Sequence, residues 1–263
     1  MNMDRTQKFD KTTPCQGCRN GEELDFPISM AFQPIVDIVT GKPYAFEALV
    51  RGPEAQTADS ILSRVTPTNR YSFDQRCRVA AIELAAKAGL LDTEARLSIN
   101  FLPNAVYAPT ACIQLTLLAA TKHQMPIERL IFEFTENEDM VSPAHISNIV
   151  ATYKNMGFGT ALDDFGAGHS GLNRLAELQP DIIKIDMELI RGIDASMPRR
   201  TIVDGIVKIC RTLDIQLIAE GIETAGECEA LRDLGVRYQQ GYFFAQPGLE
   251  KLPAINIATE PLA

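Results

Sequence analysis

The chain has no tryptophan, only three histidines, and aromatic residues at 7% of its 263 positions. No aromatic platform for stacking bases is visible in it. Positive charge is also short, with Lys and Arg at 25 against Asp and Glu at 34, a net charge of −9. So acidic a surface repels phosphate backbones, which argues against nucleic-acid polymers and anionic membranes as partners. A small phosphate ligand held through metal ions stays compatible with it. No apolar run approaches the ~18 residues of a membrane span. Residues 1–11 lack the apolar segment of a secretory signal. Six cysteines in a chain this long do not make a disulfide scaffold, so the reading is a reduced, cytoplasmic protein. Fixed-period repeats and low-complexity linkers are absent as well.

Hydrophobic residues, at 46%, support a well-buried core. Residues 1–26 are polar and without sustained period, and read as a tail or cap; 27–263 read as one domain. Apolar runs at 31–38, 45–50, 97–101, 130–134, 160–164, 182–186, 216–219 and 238–240 read as strands. Amphipathic stretches at 72–88, 111–123, 143–156, 200–213 and 225–234 read as helices, and Gly89, Gly157 and Gly235 follow three of them as stop signals. Val39-Thr40-Gly41-Lys42 joins the first two strands as a hairpin. Thereafter strand and helix alternate, and continuous apolar strands between helices argue for a parallel sheet covered on both faces. Eight strands at this length favour an α/β closed barrel.

The chemistry shows at the strand ends. Glu47, Asn100, Glu133, Asp163 with Asp164, Lys184 with Asp186, Glu220 and Gln240 lie on or just past the mouth ends of successive strands. In a barrel these ends share one mouth, where active sites sit. Two like charges ~4 Å apart repel by about 4 kcal/mol at an effective dielectric near 20. So many acids must therefore take up protons or bind cations. An all-oxygen set suits Mg²⁺ or Mn²⁺, and a pair of such ions suits phosphoester hydrolysis. Lys184 can hold the attacking water or stabilise phosphate charge. Read singly, each residue is as compatible with a solvated loop, a cap or a surface lysine. The recurrence of a polar residue on every strand from the second to the eighth carries the argument.

The same residues resemble a known family. Phe46-Glu47-Ala48-Leu49-Val50-Arg51, after Phe32-Gln33-Pro34-Ile35, resembles the signature of the EAL domain, the bacterial cyclic di-GMP phosphodiesterase. The resemblance continues in order through Ser98-Ile99-Asn100, Phe132-Glu133-Phe134-Thr135-Glu136, Asp163-Asp164-Phe165-Gly166, Ile183-Lys184-Ile185-Asp186, Ala219-Glu220-Gly221-Ile222-Glu223 and Gln240-Gly241-Tyr242. It implies a modified (β/α)8 TIM-like barrel with one antiparallel strand, in agreement with the hairpin start. It implies metal-dependent hydrolysis of cyclic di-GMP to linear 5′-pGpG, a step in second-messenger signalling. By matching position, Glu47, Asn100, Glu133 and Asp163 are expected at a first metal, and Asp163, Asp164 and Glu220 at a second. Lys184 is expected near the attacking water. Glu220 is expected as general base, unless the metals and Lys184 activate the water. Gln33, Leu49, Arg51 and Gln240 are expected to line the substrate groove, with Glu136, Asp186 and Glu223 in support. Mg²⁺ or Mn²⁺ is the expected cofactor, Ca²⁺ an inhibitor, and a homodimer through helices beside strands five and six the expected assembly.

One departure is Ala167-Gly168-His169-Ser170, where the family often has Thr-Gly-Tyr-Ser; it touches no expected ligand. The alternative is a catalytically weak cyclic di-GMP receptor or protein-interaction module, which predicts lost ligands, and none is lost. Asp164-Phe165-Gly166 is not a kinase motif, because the chain lacks a Gly-rich loop and a His-Arg-Asp. Gly168-His169-Ser170-Gly171 fails the nucleophile-elbow spacing. His123 and His145 read as surface residues. Cys15 and Cys18 are half of a zinc site with no second half at zinc spacing.

Overall fold

In the computed structural model, residues 24–135, 142–168 and 171–256 are described. The chain enters through β1 (Ser29–Asp37) and turns back at once into β2 (Lys42–Arg51). These two pair antiparallel, with Gln33 opposite Glu47. β3 (Arg96–Asn100), β4 (Leu130–Thr135), β5 (Gly159–Phe165), β6 (Ile182–Ile185), β7 (Gln216–Ala219) and β8 (Tyr238–Gln240) then follow β2 in parallel register. β8 closes on β1, antiparallel, with Gln240 opposite Ile35. The result is an eight-stranded barrel with β1 running against the other seven, as expected from sequence. A two-residue strand, β9 (Gly248–Leu249), adds to β1 outside the ring.

Helices cover the outer face: α1 (Ala58–Leu62), α2 (Arg70–Lys87), α3 (Pro109–Cys112), α4 (Gln114–Lys122), α5 (Pro143–Asn155), α6 (Gly171–Leu178), α7 (Met187–Ile190), α8 (Met197–Leu213) and α9 (Ala225–Asp233). Among the described residues no helix is long and apolar enough to cross a membrane. Gly89, Gly157 and Gly235 all adopt positive φ, at 89°, 94° and 86°. Three details differ from the sequence reading. The stretch 111–123 is two helices, because fully buried Ile113 sits between them as C-cap of α3 and N-cap of α4. α1, α6 and α7 were not among the expected helices. Asp186 is no strand residue: its side chain accepts the backbone N–H of Glu188 at 2.8 Å and starts α7. Glu136, Cys15, Cys18 and His169 lie outside the described residues.

The main core lies between barrel wall and helices, and Phe26 already belongs to it. A separate apolar layer fills the barrel interior: Ile35, Ala45, Ile131, Ala161, Ile182 and Ile218. Side chains two apart on a strand share a face. Gln33, Glu47, Glu133, Asp163, Lys184 and Glu220 each stand two positions from one of these six. Polar groups thus form the next layer up, floored by hydrocarbon.

Candidate active site

Lys184 stands at the centre of that polar layer and is fully buried. Its Nζ lies 2.7 Å from Glu220 Oε1, 2.8 Å from Glu133 Oε2, 3.2 Å from Asp163 Oδ1 and 3.4 Å from Glu47 Oε2. Neighbours orient the acids further. Asn100 Nδ2 donates to Glu47 Oε1 at 2.8 Å, and Gln240 Nε2 donates to Glu47 Oε2 at 2.8 Å and to Gln33 Oε1 at 3.3 Å. Gln33 Nε2 is tied to the Ala245 carbonyl at 3.1 Å. Ser98 Oγ donates to Glu133 Oε1.

Asp163 and Asp164 are consecutive, so a regular strand would send them to opposite faces. The β5–β6 register shifts between Leu162 and Phe165, and Asp164 takes φ +54°, a left-handed conformation rare for a side-chain-bearing residue. This bulge brings both carboxylates to one site. Glu47, Glu133 and Asp163 each offer an oxygen within 4.8 Å of the others, and so do Asp163, Asp164 and Glu220. The two groups share Asp163.

Five carboxylates facing one ammonium leave the layer short of positive charge. Burial pushes the Glu133 carboxyl up to about 8, against the pull of Lys184. Burial and then Asp163 push Asp164 up to about 6 and Glu220 well above the carboxylate range. Burial also opposes ionisation of Glu47, but Lys184, Gln240 and Asn100 outweigh it and hold Glu47 low. For Lys184, burial works against the charge, and Asp163, Glu133, Glu220 and Glu47 overcome it, so the ammonium is held well above its ordinary pKa. Cations brought to these oxygens would replace protons and relieve repulsion. Gln240 Oε1 is buried without a hydrogen-bond partner among the described residues, which also fits a site built to receive something.

A cavity of about 380 Å³ opens above the acids, lined by Gln33, Glu47, Asp163, Asp164, Glu220 and Gln240 among others. Asp186 and Glu223 are on its rim; Glu223 is engaged by Arg191 Nη2 at 2.7 Å. Leu49 and Arg51 are not among its lining residues. With Asn100, the hydrogen-bond partner of Glu47, they line a neighbouring, largely apolar cavity of about 290 Å³ between the barrel wall and α1–α2. Ser98, Met187 and Tyr242 also belong to the site and were not among the residues expected from sequence. Ser98 had a signal, since it stands two positions before Asn100 on the same face. Met187 and Tyr242 are half-exposed side chains at the rim, and nothing in the pattern of apolar residues marks them.

Comparison with known proteins agrees with the fold. The EAL domain family matches residues 25–247. The chain belongs to the EAL domain family. A c-di-GMP-bound crystal structure of a standalone versatile EAL protein from Vibrio cholerae O395 is 52% identical, with a TM-score of 0.85 over 89% of this chain and 98% of that one. Klebsiella pneumoniae BlrP1 in a manganese/cy-diGMP complex is 32% identical, with a TM-score of 0.80 over 88% of this chain and 58% of that one. Among curated proteins of Escherichia coli K12, the blue light- and temperature-regulated antirepressor BluF is 33% identical over 86% of this chain. The probable cyclic di-GMP phosphodiesterase PdeB is 30% identical over 83% of it. The EAL chain spans 55% and 42% of those two relatives.

Proposed function

We propose that this EAL chain hydrolyses one phosphodiester bond of cyclic di-GMP, giving linear 5′-pGpG, with two divalent cations, Mg²⁺ or Mn²⁺, in the acid layer. The observation that carries the reading is the pair of oxygen groups sharing Asp163. Support comes from the c-di-GMP-bound neighbour at 52% identity and the manganese complex of BlrP1.

Glu47, Asn100, Glu133 and Asp163 would hold one ion, Asn100 through its carbonyl oxygen, and Asp163, Asp164 and Glu220 the other. Bound there, the ions would neutralise phosphate charge and lower the pKa of the attacking water. Lys184 orients that water by hydrogen bonding and offsets charge that develops on the phosphate. Glu220, at the cavity edge and 2.7 Å from Lys184 Nζ, takes up the water's proton. Gln33 and Gln240 hold the nucleotide over the acids, Leu49 and Arg51 contact its far part from the neighbouring cavity that Asn100 also lines, and Asp186 and Glu223 brace the mouth. Ca²⁺ prefers six to eight ligands at longer distance and misplaces the reacting groups, so it inhibits.

The test is chromatography of cyclic di-GMP incubated with the protein in Mg²⁺, Mn²⁺, Ca²⁺ or chelator. Linear product is expected with the first two metals alone. No product with either would favour the other reading, a receptor or interaction module, which the antirepressor name of BluF keeps in view. Against that reading, every expected oxygen ligand is present in the chain. We also propose a homodimer through the apolar surface beside β5 and β6, where Leu172, Met187, Met197 and Ile202 are exposed by 61%, 45%, 73% and 49%. Sedimentation should give twice the chain mass, and Met197→Glu with Ile202→Glu should return it to the monomer.

A further inference from the structure

Outside the acid layer, a second buried charge cluster lies on α2. Arg78 is fully buried and Asp74 is 2% exposed; Arg78 Nη2 and Asp74 Oδ2 are 2.6 Å apart, one helical turn from each other. Arg78 Nη1 donates to the Tyr153 hydroxyl of α5 at 3.0 Å. The guanidinium carbon lies 5.3 Å from the ring centres of both Phe101 and Phe132. The free oxygen of the pair, Asp74 Oδ1, accepts the backbone N–H of Leu102 at 2.9 Å. The Phe101 N–H in turn donates to the Glu133 carbonyl at 3.0 Å.

Replacing a buried ion pair by well-packed apolar side chains is often neutral or stabilising, so such a pair is weak evidence for a role in stability. What this pair does locally is specific. It grips the two residues that follow Asn100, one by a hydrogen bond and one by its ring. Asn100 carries the side chain that orients Glu47, and past the end of β3 the Phe101 N–H is the last backbone donor bonded to the sheet among the described residues. We propose that Asp74, anchored by Arg78 and Tyr153, is a positioning residue that sets the end of β3 and thereby the aim of Asn100 at Glu47. The inference deepens the hydrolase reading by adding a residue that acts through Asn100.

Two double variants separate this from a packing role. Asp74→Leu with Arg78→Met removes both charges and the acceptor for Leu102 N–H. Asp74→Asn with Arg78→Met removes the charges and keeps an acceptor. Hydrogen exchange over 98–106, Mn²⁺ affinity and turnover are measured on the full chain, with melting curves for both variants. The Leu/Met variant is expected to exchange faster at 101–103, bind Mn²⁺ 10- to 100-fold more weakly, the usual size of a supporting-residue effect, and lose kcat with little change in KM. The Asn/Met variant, which keeps the acceptor for Leu102 but not the Arg78 anchor, is expected to recover part of each. Parent-like exchange and Mn²⁺ affinity in the Leu/Met variant overturn the proposal. So do equal losses in both variants, which a purely structural role predicts. If the parent itself neither binds Mn²⁺ nor cleaves, the hydrolase reading fails, and exchange over 98–106 still decides whether Asp74 sets this segment.

Discussion

At the scale of single residues, Lys184 is the group on which the site depends most without metal. Among the described residues it is the sole cation facing the site's carboxylates, and it touches four of the five. Removing one partner of a buried charge network costs ~3–5 kcal/mol, and Lys184→Met keeps the volume while deleting the charge. In chelator the variant is expected to melt well below the parent. With Mn²⁺ present that deficit should shrink, because cations supply the missing charge, while turnover stays down by ~10²–10³-fold. Equal melting of variant and parent in chelator would sink the account of the site as a charge-deficient layer.

At the scale of elements, the site depends on how strand ends are joined to one another. Gly241, just past β8, lies against Ile222 in the loop after β7. A Cβ there would sit inside the contact distance of the Ile222 backbone oxygen and nitrogen, and the Ile222 N–H donates to the Gln240 carbonyl at 3.1 Å. Gly241→Ala should therefore push away the segment that starts at Glu220, costing ~1–3 kcal/mol in urea unfolding and most of the turnover. At the opposite end of the barrel, Arg237 holds Asp37 by two hydrogen bonds of 2.8 and 2.6 Å, tying the end of β1 to the start of β8. The guanidinium bonds lower the Asp37 carboxyl from 3.8 to about 2. A folded-state pKa below the unfolded one adds stability that is present above pH 4 and lost as pH falls to 2. Asp37→Asn should lower the melting temperature at pH 6, and the gap to the parent should close toward pH 2. A pH-independent gap would exclude the pair as its cause.

Seven of the eight barrel strands were legible as apolar runs bounded by turns, whereas β8 is Tyr-Gln-Gln; the acids were legible because they interrupt those runs two positions past the apolar layer. α6 was hidden by its length of eight residues and its glycine start. The break at Ile113 has no proline or glycine to announce it. The placing of Leu49 and Arg51 in a second cavity against α1 and α2, and the grip of Asp74 on Leu102, depend on which helix packs where, and local pattern does not encode that.

At the scale of the whole molecule, the acid layer links folding to ligand binding. A native state that concentrates Glu47, Glu133, Asp163, Asp164 and Glu220 gives up stability in the absence of metal, and regains it by RT ln(1 + [L]/Kd) on binding, about 2.7 kcal/mol at a hundredfold excess over Kd. Asp163 is where this trade is largest, because it belongs to both oxygen groups and its charge raises both Asp164 and Glu220. Asp163→Asn removes that charge with almost no change in volume and leaves an oxygen to accept the Asp164 N–H, now at 3.0 Å. In chelator at neutral pH the variant is expected to melt above the parent, since one source of repulsion is gone. In Mn²⁺ the order should reverse, since the parent gains more from binding, and hydrolysis should nearly vanish. A solvent-exposed strand-end aspartate would produce neither shift. Paired melting curves in the two media decide the matter: a variant that tracks the parent in both refutes a shared metal position at Asp163, whatever the turnover assay shows.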